Sequence, residues 1–173
     1  YRRQRQMCIR DRRTLYIEET AIHKGIAQTV WLGRMTKVAE HPYIYVDGAH
    51  NVAAWEYLRT SVEKYFTNRR VIYIIGVLKD KEYEKMVEIL APTMAAAVVI
   101  TPDTPRGLPK EILAPLIQAQ GVPVQLADTS AEALQKAREQ AGETGVILVS
   151  GSLSFLAEYL QLESGDENNG ASR

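Results

Sequence analysis

Short uninterrupted apolar runs alternate along this chain with longer stretches in which apolar residues recur every three or four positions. The first pattern belongs to strands, the second to helices lying on a sheet. Val71–Ile75 and Val146–Ser150 are the purest runs, and such runs suit strands buried on both faces of a parallel sheet. Strands are also expected at residues 35–40, 43–47, 95–101 and 122–127, with His41 and Pro42 turning the first of these into the second. Val52, Trp55, Leu58, Val62 and Phe66 fall on one face of a helix. A further helix is expected from Asp80, as its N-cap, through Leu90, and another over residues 110–118, which Pro115 should kink or shorten. Thr129 and Glu132 have capping-box spacing and open a helix that runs to Ala141. Residues 15–29 carry Ile17, Ala21, Ile22 and Ile26 at helical spacing, and Gly151-Ser152 leads into a last helix through Leu153, Leu156 and Leu160. Strands alternating with helices in this way predict an α/β fold, a doubly wound, mainly parallel sheet with helices on both faces.

Chemistry concentrates at the end of the second strand, where Tyr43-Ile44-Tyr45-Val46 runs into Asp47-Gly48-Ala49-His50-Asn51. A carboxylate, a glycine and an imidazole occupy four positions, and Asn51 stands where a helix N-cap belongs. Ligands of open α/β sheets bind beyond the carboxyl ends of the strands. Gly48, having no Cβ, would let the chain turn and a ligand approach the backbone. Taken alone, Asp47 reads equally well as a turn residue, and His50 reads more readily as a packed or helix-start histidine. Their company changes the balance: Trp31-Leu32-Gly33-Arg34 lies upstream and Gly76-Val77-Leu78-Lys79-Asp80-Lys81 downstream, followed by Thr101-Pro102-Asp103-Thr104-Pro105-Arg106 and Gly151-Ser152-Leu153.

In this order the motifs resemble the C-terminal domain of folylpolyglutamate synthase/dihydrofolate synthase, within the Mur ligase superfamily. That family carries W-P-G-R, D-G-A-H-N, G-x-x-x-D-K-D/E, T-x-x-x-P-R and G-S-L segments; here Leu32 replaces the usual proline, which puts the rigidity of the Arg34 loop in question. The resemblance implies a Rossmann-like sheet of six strands, one of them antiparallel. It also assigns Arg34 and Asp47 to ATP, His50 to catalysis and the glutamate side, and Ser152 and Arg106 to substrate. A guanidinium can fork onto phosphate oxygens, and a carboxylate can accept ribose hydroxyls. Lys79 and Lys81 would add to the positive field, or serve only as exposed lysines in a polar turn.

Composition narrows the setting. With 173 residues and a formal net charge of zero, the chain is about one domain long and has no global pull toward nucleic acid or an anionic membrane. The single cysteine, Cys8, excludes an internal disulfide and a cysteine-based zinc site. No apolar run approaches the roughly 18 residues of a membrane span, so the expectation is a cytoplasmic, monomeric protein. Residues 1–14 read as a basic arm outside the fold, a junction or assembly remnant; discounting its first 13 residues, with six arginines and Asp11, leaves the remainder acidic by five charges. The domain is expected over residues 15–162, with a disordered Ser-, Gly- and Asn-containing tail over 163–173.

The chemistry implied by the resemblance is amide formation. ATP phosphorylates a carboxylate of the folate, and the amine of L-glutamate displaces the phosphate from the resulting acyl phosphate. Three anionic ligands must then be held together, which calls for cations and N–H dipoles aimed at the developing charge. In the family the phosphate loop and the Mg2+ ligands belong to an N-terminal ATPase domain, and this chain contains no G-x-x-x-x-G-K-[ST] segment and offers no metal site of its own. Folded but catalytically silent in isolation is therefore the expectation, with dihydrofolate synthesis from dihydropteroate, tetrahydrofolate polyglutamylation, or both, as the activity of the joined enzyme. The alternatives are a stand-alone nucleotide-binding or interaction module that kept the sheet without the chemistry, and a Mur-type ligase acting on a cell-wall precursor.

Overall fold

The computed structural model describes residues 18–28, 33–152 and 156–159. The sequence expectations at residues 1–17 and 160–173, and at Trp31, Leu32 and Leu153, lie outside them. Two units are separate by their internal contacts, residues 1–31 and 32–173. In the first, α1 (Glu19–Gln28) is a ten-residue helix with Glu19 in its first turn, where a carboxylate favours the positive end of the helix dipole.

The second unit is a six-stranded sheet with strands β1 (Thr36–Glu40), β2 (Tyr43–Asp47), β3 (Val71–Ile75), β4 (Ala96–Ile100), β5 (Val124–Ala127) and β6 (Val146–Ser150). Its spatial order is β1-β2-β6-β3-β4-β5. The β1–β2 pair is antiparallel and the other four pairs are parallel. Helices α2 (Val52–Tyr65), α3 (Tyr83–Leu90), α4 (Lys110–Ala119) and α5 (Ser130–Ala141) link the parallel strands, and residues 156–159 form a further helical turn after β6.

Period-two alternation sorts the buried strand residues onto two faces. Val71, Tyr73 and Ile75 of β3 join Trp55, Leu58 and Val62 of α2 and the inner faces of α3 and α4. Ile72 and Ile74 point the other way, onto Ala133, Ala137 and Ala141 of α5 and onto Leu156 and Tyr159. The alanines at spacing of four let α5 lie close to the sheet. Both faces are thus covered, which is why the β3, β4 and β6 strands read as unbroken apolar runs.

Local details depart from the sequence reading in two places. Asp80 does not cap α3: the helix starts at Tyr83, and its N-cap position, Glu82, makes no side-chain cap bond. Asp80 instead turns to Arg106 and Lys81. Pro115 does not shorten α4, which runs unbroken from Lys110 to Ala119 with Pro115 on its exposed side. Pro115 is the sixth of the ten residues, so it forgoes the backbone bond to Glu111 O, and the helix carries through on the packing of Leu113, Ala114 and Ile117. Thr129 does cap α5, accepting from Glu132 N–H at 3.1 Å, while the Glu132 carboxylate accepts from Asp128 N–H at 2.7 Å.

Tyr73 gives the fold an alkaline limit. Thr93 Oγ1 donates to Leu90 O at 2.7 Å, so the 2.6 Å contact with Tyr73 must be a bond that the phenol donates. Burial pushes the Tyr73 phenol, and that of Tyr159, well above their ordinary value of 10.0. Above that value the unfolded chain releases phenolic protons that the folded chain retains, so stability falls as pH rises from about 10. The urea midpoint is expected to hold level to about pH 9 and then drop, and Tyr73→Phe should make the drop shallower. A Tyr73→Phe variant with the parent's slope would contradict this.

Candidate active site

Because β2, β6, β3, β4 and β5 are parallel, the segments following them all open on one rim of the sheet. The antiparallel β1 contributes its amino end, residues 33–35, to the same rim. The segments after β2 and β3 lead to α2 and α3 on one face, whereas the segment after β6, lying between them, leads to the helical turn on the other. Neighbouring connections that part in this way leave a crevice at the switch point, the place where open α/β sheets hold ligands.

Asp47 ends β2 inside this crevice, with 7% of its surface exposed. Its Oδ1 accepts from Ala49 N–H at 2.8 Å and its Oδ2 from Met35 N–H at 2.9 Å. Gly48 N–H donates to Gly33 O at 2.7 Å. These bonds bracket Arg34, fastening its backbone alongside Asp47 and Gly48 while its side chain stays exposed. The unusual backbone lies on the Arg34 side: Gly33 has φ 77° and Met35 φ 46°.

His50 is half-buried, and its Nδ1 lies 2.7 Å from Gly48 O. A carbonyl only accepts, so Nδ1 carries the proton, and in the neutral imidazole that leaves the lone pair on Nε2. Asn51 Oδ1 caps α2 by accepting from Ala54 N–H at 2.9 Å. Trp55, fully buried, donates its Nε1–H to Ala49 O at 3.1 Å, and Ser150 Oγ at the end of β6 donates to the same carbonyl at 3.4 Å. The rim segment 47–51 is therefore pinned from below by α2 and from the side by β6. Phe66, past the other end of α2, packs on Tyr45 with ring centroids 5.0 Å apart. Sequence reasoning missed these anchors, because an indole on an apolar helix face reads only as core.

Ser152 is buried, at 3% exposure, beside Gly151 on the β6 side of the crevice. Arg106 lies farther off. Three strand spacings separate β2 from β4, about 14 Å at about 4.8 Å each, so the rim does not gather Arg106 with Arg34, Asp47 and His50. It pairs instead with Asp80 at 2.6 Å, and that bond to the guanidinium, with help from Lys81, holds the Asp80 carboxyl below its ordinary range. Between β4 and β5 a cleft of about 720 Å³ opens among Thr101, Thr104, Asp128, Ser130 and Glu158. Among the described residues no three His, Cys, Asp or Glu side chains converge to hold a metal ion, and no helix is long and apolar enough to cross a membrane.

Comparison with known proteins places this geometry. The family profile described as "Mur ligase, glutamate ligase domain" matches residues 33–153. The dihydrofolate synthase/folylpolyglutamate synthase of Bacillus subtilis is 28% identical over 144 residues, covering 83% of this chain and 33% of that protein. Its counterpart in Escherichia coli is 30% identical over 148 residues, covering 86% and 34%. The structure of E. coli FolC in complex with DHPP and ADP superposes with a TM-score of 0.80 at 29% identity, over 88% of this chain and 36% of that one. The chain spans about a third of the length of these relatives. The matched segment holds Arg34, Asp47, His50, Arg106 and Ser152 together with the whole sheet beneath them, and the chain belongs to the Mur ligase family as a glutamate ligase domain.

Proposed function

We propose that this chain is the C-terminal domain of an ATP-dependent amide-forming ligase that adds L-glutamate to a folate or dihydropteroate, and that it works by closing over an N-terminal ATPase domain. The observation that carries the reading is the bracketing of Arg34 by the Gly33–Gly48 and Asp47–Met35 bonds, which sets a guanidinium, a carboxylate and an imidazole on one stretch of rim. The relatives that share this fold over about a third of their own length are dihydrofolate synthase/folylpolyglutamate synthases. A bound ADP in one of them makes a nucleotide phosphate the natural partner for Arg34.

In this reading Arg34 forks onto phosphate oxygens, and the first-turn N–H groups of α2 add dipoles toward the same charge. Asp47 keeps Arg34 in place and retains a second lone pair on each oxygen for a ribose hydroxyl. His50 Nε2 accepts a hydrogen bond from the amine of the incoming glutamate and takes up its proton as the amide forms. Ser152 and, farther along the rim, Arg106 bind the substrate's anionic groups. In this reading the ATPase domain would hold the Mg2+ that accompanies ATP, where the ion would offset phosphate charge. The complete enzyme would be a cytoplasmic monomer with no call on nucleic acid or membrane.

Phosphoryl transfer depends almost wholly on positioning. The 173-residue chain alone should therefore show no ADP release dependent on both folate and glutamate, whereas the polypeptide expressed with its native upstream coding sequence should. A coupled ADP-release assay on the two proteins decides. Turnover by the short chain, or none by the long one, would overturn the proposal, and nucleotide binding without turnover by the long one would favour the binding-module alternative.

A further inference from the structure

The loops after β3 and β4 are joined at their tips. Lys79 N–H donates to Arg106 O at 2.9 Å, Leu108 N–H donates to Val77 O at 2.9 Å, and Leu78 and Gly107 form an antiparallel bridge. On this frame a single carboxylate oxygen, Asp80 Oδ2, meets Arg106 Nη2 at 2.6 Å and Lys81 Nζ at 3.3 Å. Lys79 reaches back to Pro105 O at 3.4 Å. Two cations thus share one acid, with a third, Lys79, on the same pair of loops, on the rim that carries the candidate site.

Stability does not explain the arrangement. Asp80 and Arg106 are about half exposed, and exposed ion pairs contribute little against water and side-chain entropy. The loops are already fastened by backbone bonds, which would hold without the pair. What the carboxylate adds is direction: a long, flexible guanidinium is fixed in one orientation, with Lys81 alongside it, and the tip keeps a net positive charge for an incoming anion.

We propose that Asp80 is a positioning residue that aims Arg106, with Lys81, at an oxyanion of the substrates. The proposal rests on the ligase reading given above. The ligand chemistry is a carboxylate or phosphate, supplied by glutamate or by the nucleotide.

The test uses the long polypeptide, measuring kcat and the KM of each substrate separately for Asp80→Asn, Arg106→Gln, the double variant, and the exchange pair Asp80→Arg/Arg106→Asp. Asp80→Asn and Arg106→Gln should each raise one substrate's KM about ten-fold, the effect of losing one charge-assisted hydrogen bond, with kcat within about two-fold of the parent. The double variant should be no worse than the worse single one, since both act through the same contact. The exchange pair restores the loop-to-loop ion pair but moves the guanidinium to the other tip, so its melting temperature should match the parent while its KM stays raised. A rise in KM for glutamate identifies a carboxylate as the ligand, and a rise for ATP identifies a phosphate. Unchanged KM in both single variants, a loss confined to kcat, or full recovery of KM in the exchange pair would overturn the proposal. Absence of activity in the unsubstituted long polypeptide would refute the ligase reading instead, so the two failures are distinguishable.

Discussion

Gly151→Ala should be among the most damaging single-methyl changes in this protein. Gly151 has φ +124°, outside the ordinary left-handed region, in backbone space that is nearly closed to side chains. An added Cβ would lie 2.3 Å from Gly76 O and 3.1 Å from Val77 Cγ1, against backbone that cannot swing aside. Backbone strain of about 1 to 3 kcal/mol and overpacking of a similar size add to about 2 to 6 kcal/mol, a large part of the 5 to 15 typical of a whole domain. For a domain of this size, at about 2 to 4 °C per kcal/mol, the melting temperature should fall by about 4 to 24 °C. Gly142→Ala is the control: its φ is +62°, but a Cβ there meets nothing within 4 Å. With ψ −165° it too lies in backbone space nearly reserved for glycine, so it should cost the backbone strain alone, about 1 to 3 kcal/mol. Equal losses for the two would show that positive φ alone accounts for Gly151, and that the ends of β3 and β6 are not in the tight contact described.

That contact matters for the site because it closes the rim between the β3 loop, with its cations, and the β6 end, with Ser150 and Ser152. Ser150 in turn touches Ala49 O, the carbonyl that Trp55 holds from the helix below. The rim behaves as one frame: β2 and β6 are tied through Ala49, β6 and β3 through the glycines, β3 and β4 through the Leu78–Gly107 bridge.

Strand by strand, the sheet was legible because burial on both faces leaves no choice of residue: Val71–Ile75 and Val146–Ser150 could not face water on either side. The Thr129–Glu132 cap was legible for a related reason, since its partners lie within one helical turn. Asp80 was misread as a cap because the competing partner, Arg106, is 26 residues away and announces itself by no periodicity. The positions Arg34, Asp47 and His50 were visible from the motif, and the fold sets their backbones on one stretch of rim. The orientation of Asp47 was not visible. An aspartate before glycine at a strand end reads as a turn residue, as its bond from Ala49 N–H shows, but only the antiparallel return of β1 places Met35 N–H against its other oxygen.

Asp47→Ala tests that placement most directly. The substitution strips the acceptor from two backbone N–H groups, Ala49 and Met35, in a place that is 93% shielded. A buried donor without a partner costs about 1 to 3 kcal/mol, so the pair should cost about 2 to 6. Met35 also sits at φ 46°, an uncommon conformation for a residue with a side chain, and the bond to Asp47 Oδ2 holds it there. Without that bond the 33–35 segment should relax and carry Arg34 off the rim. Asp47→Asn separates the contributions: its carbonyl still accepts one N–H while its amide confronts the other, so the loss should fall between parent and alanine variant. The expected order in melting temperature is parent, Asp47→Asn, Asp47→Ala. In the long polypeptide the KM for ATP should rise in the same order if Asp47 works through Arg34. His50→Ala removes no backbone acceptor, so it should leave the melting temperature near the parent's and raise the requirement for glutamate instead. Were Asp47→Ala as stable as the parent, the carboxylate would be facing solvent, and Arg34 would owe its place to something other than the clamp.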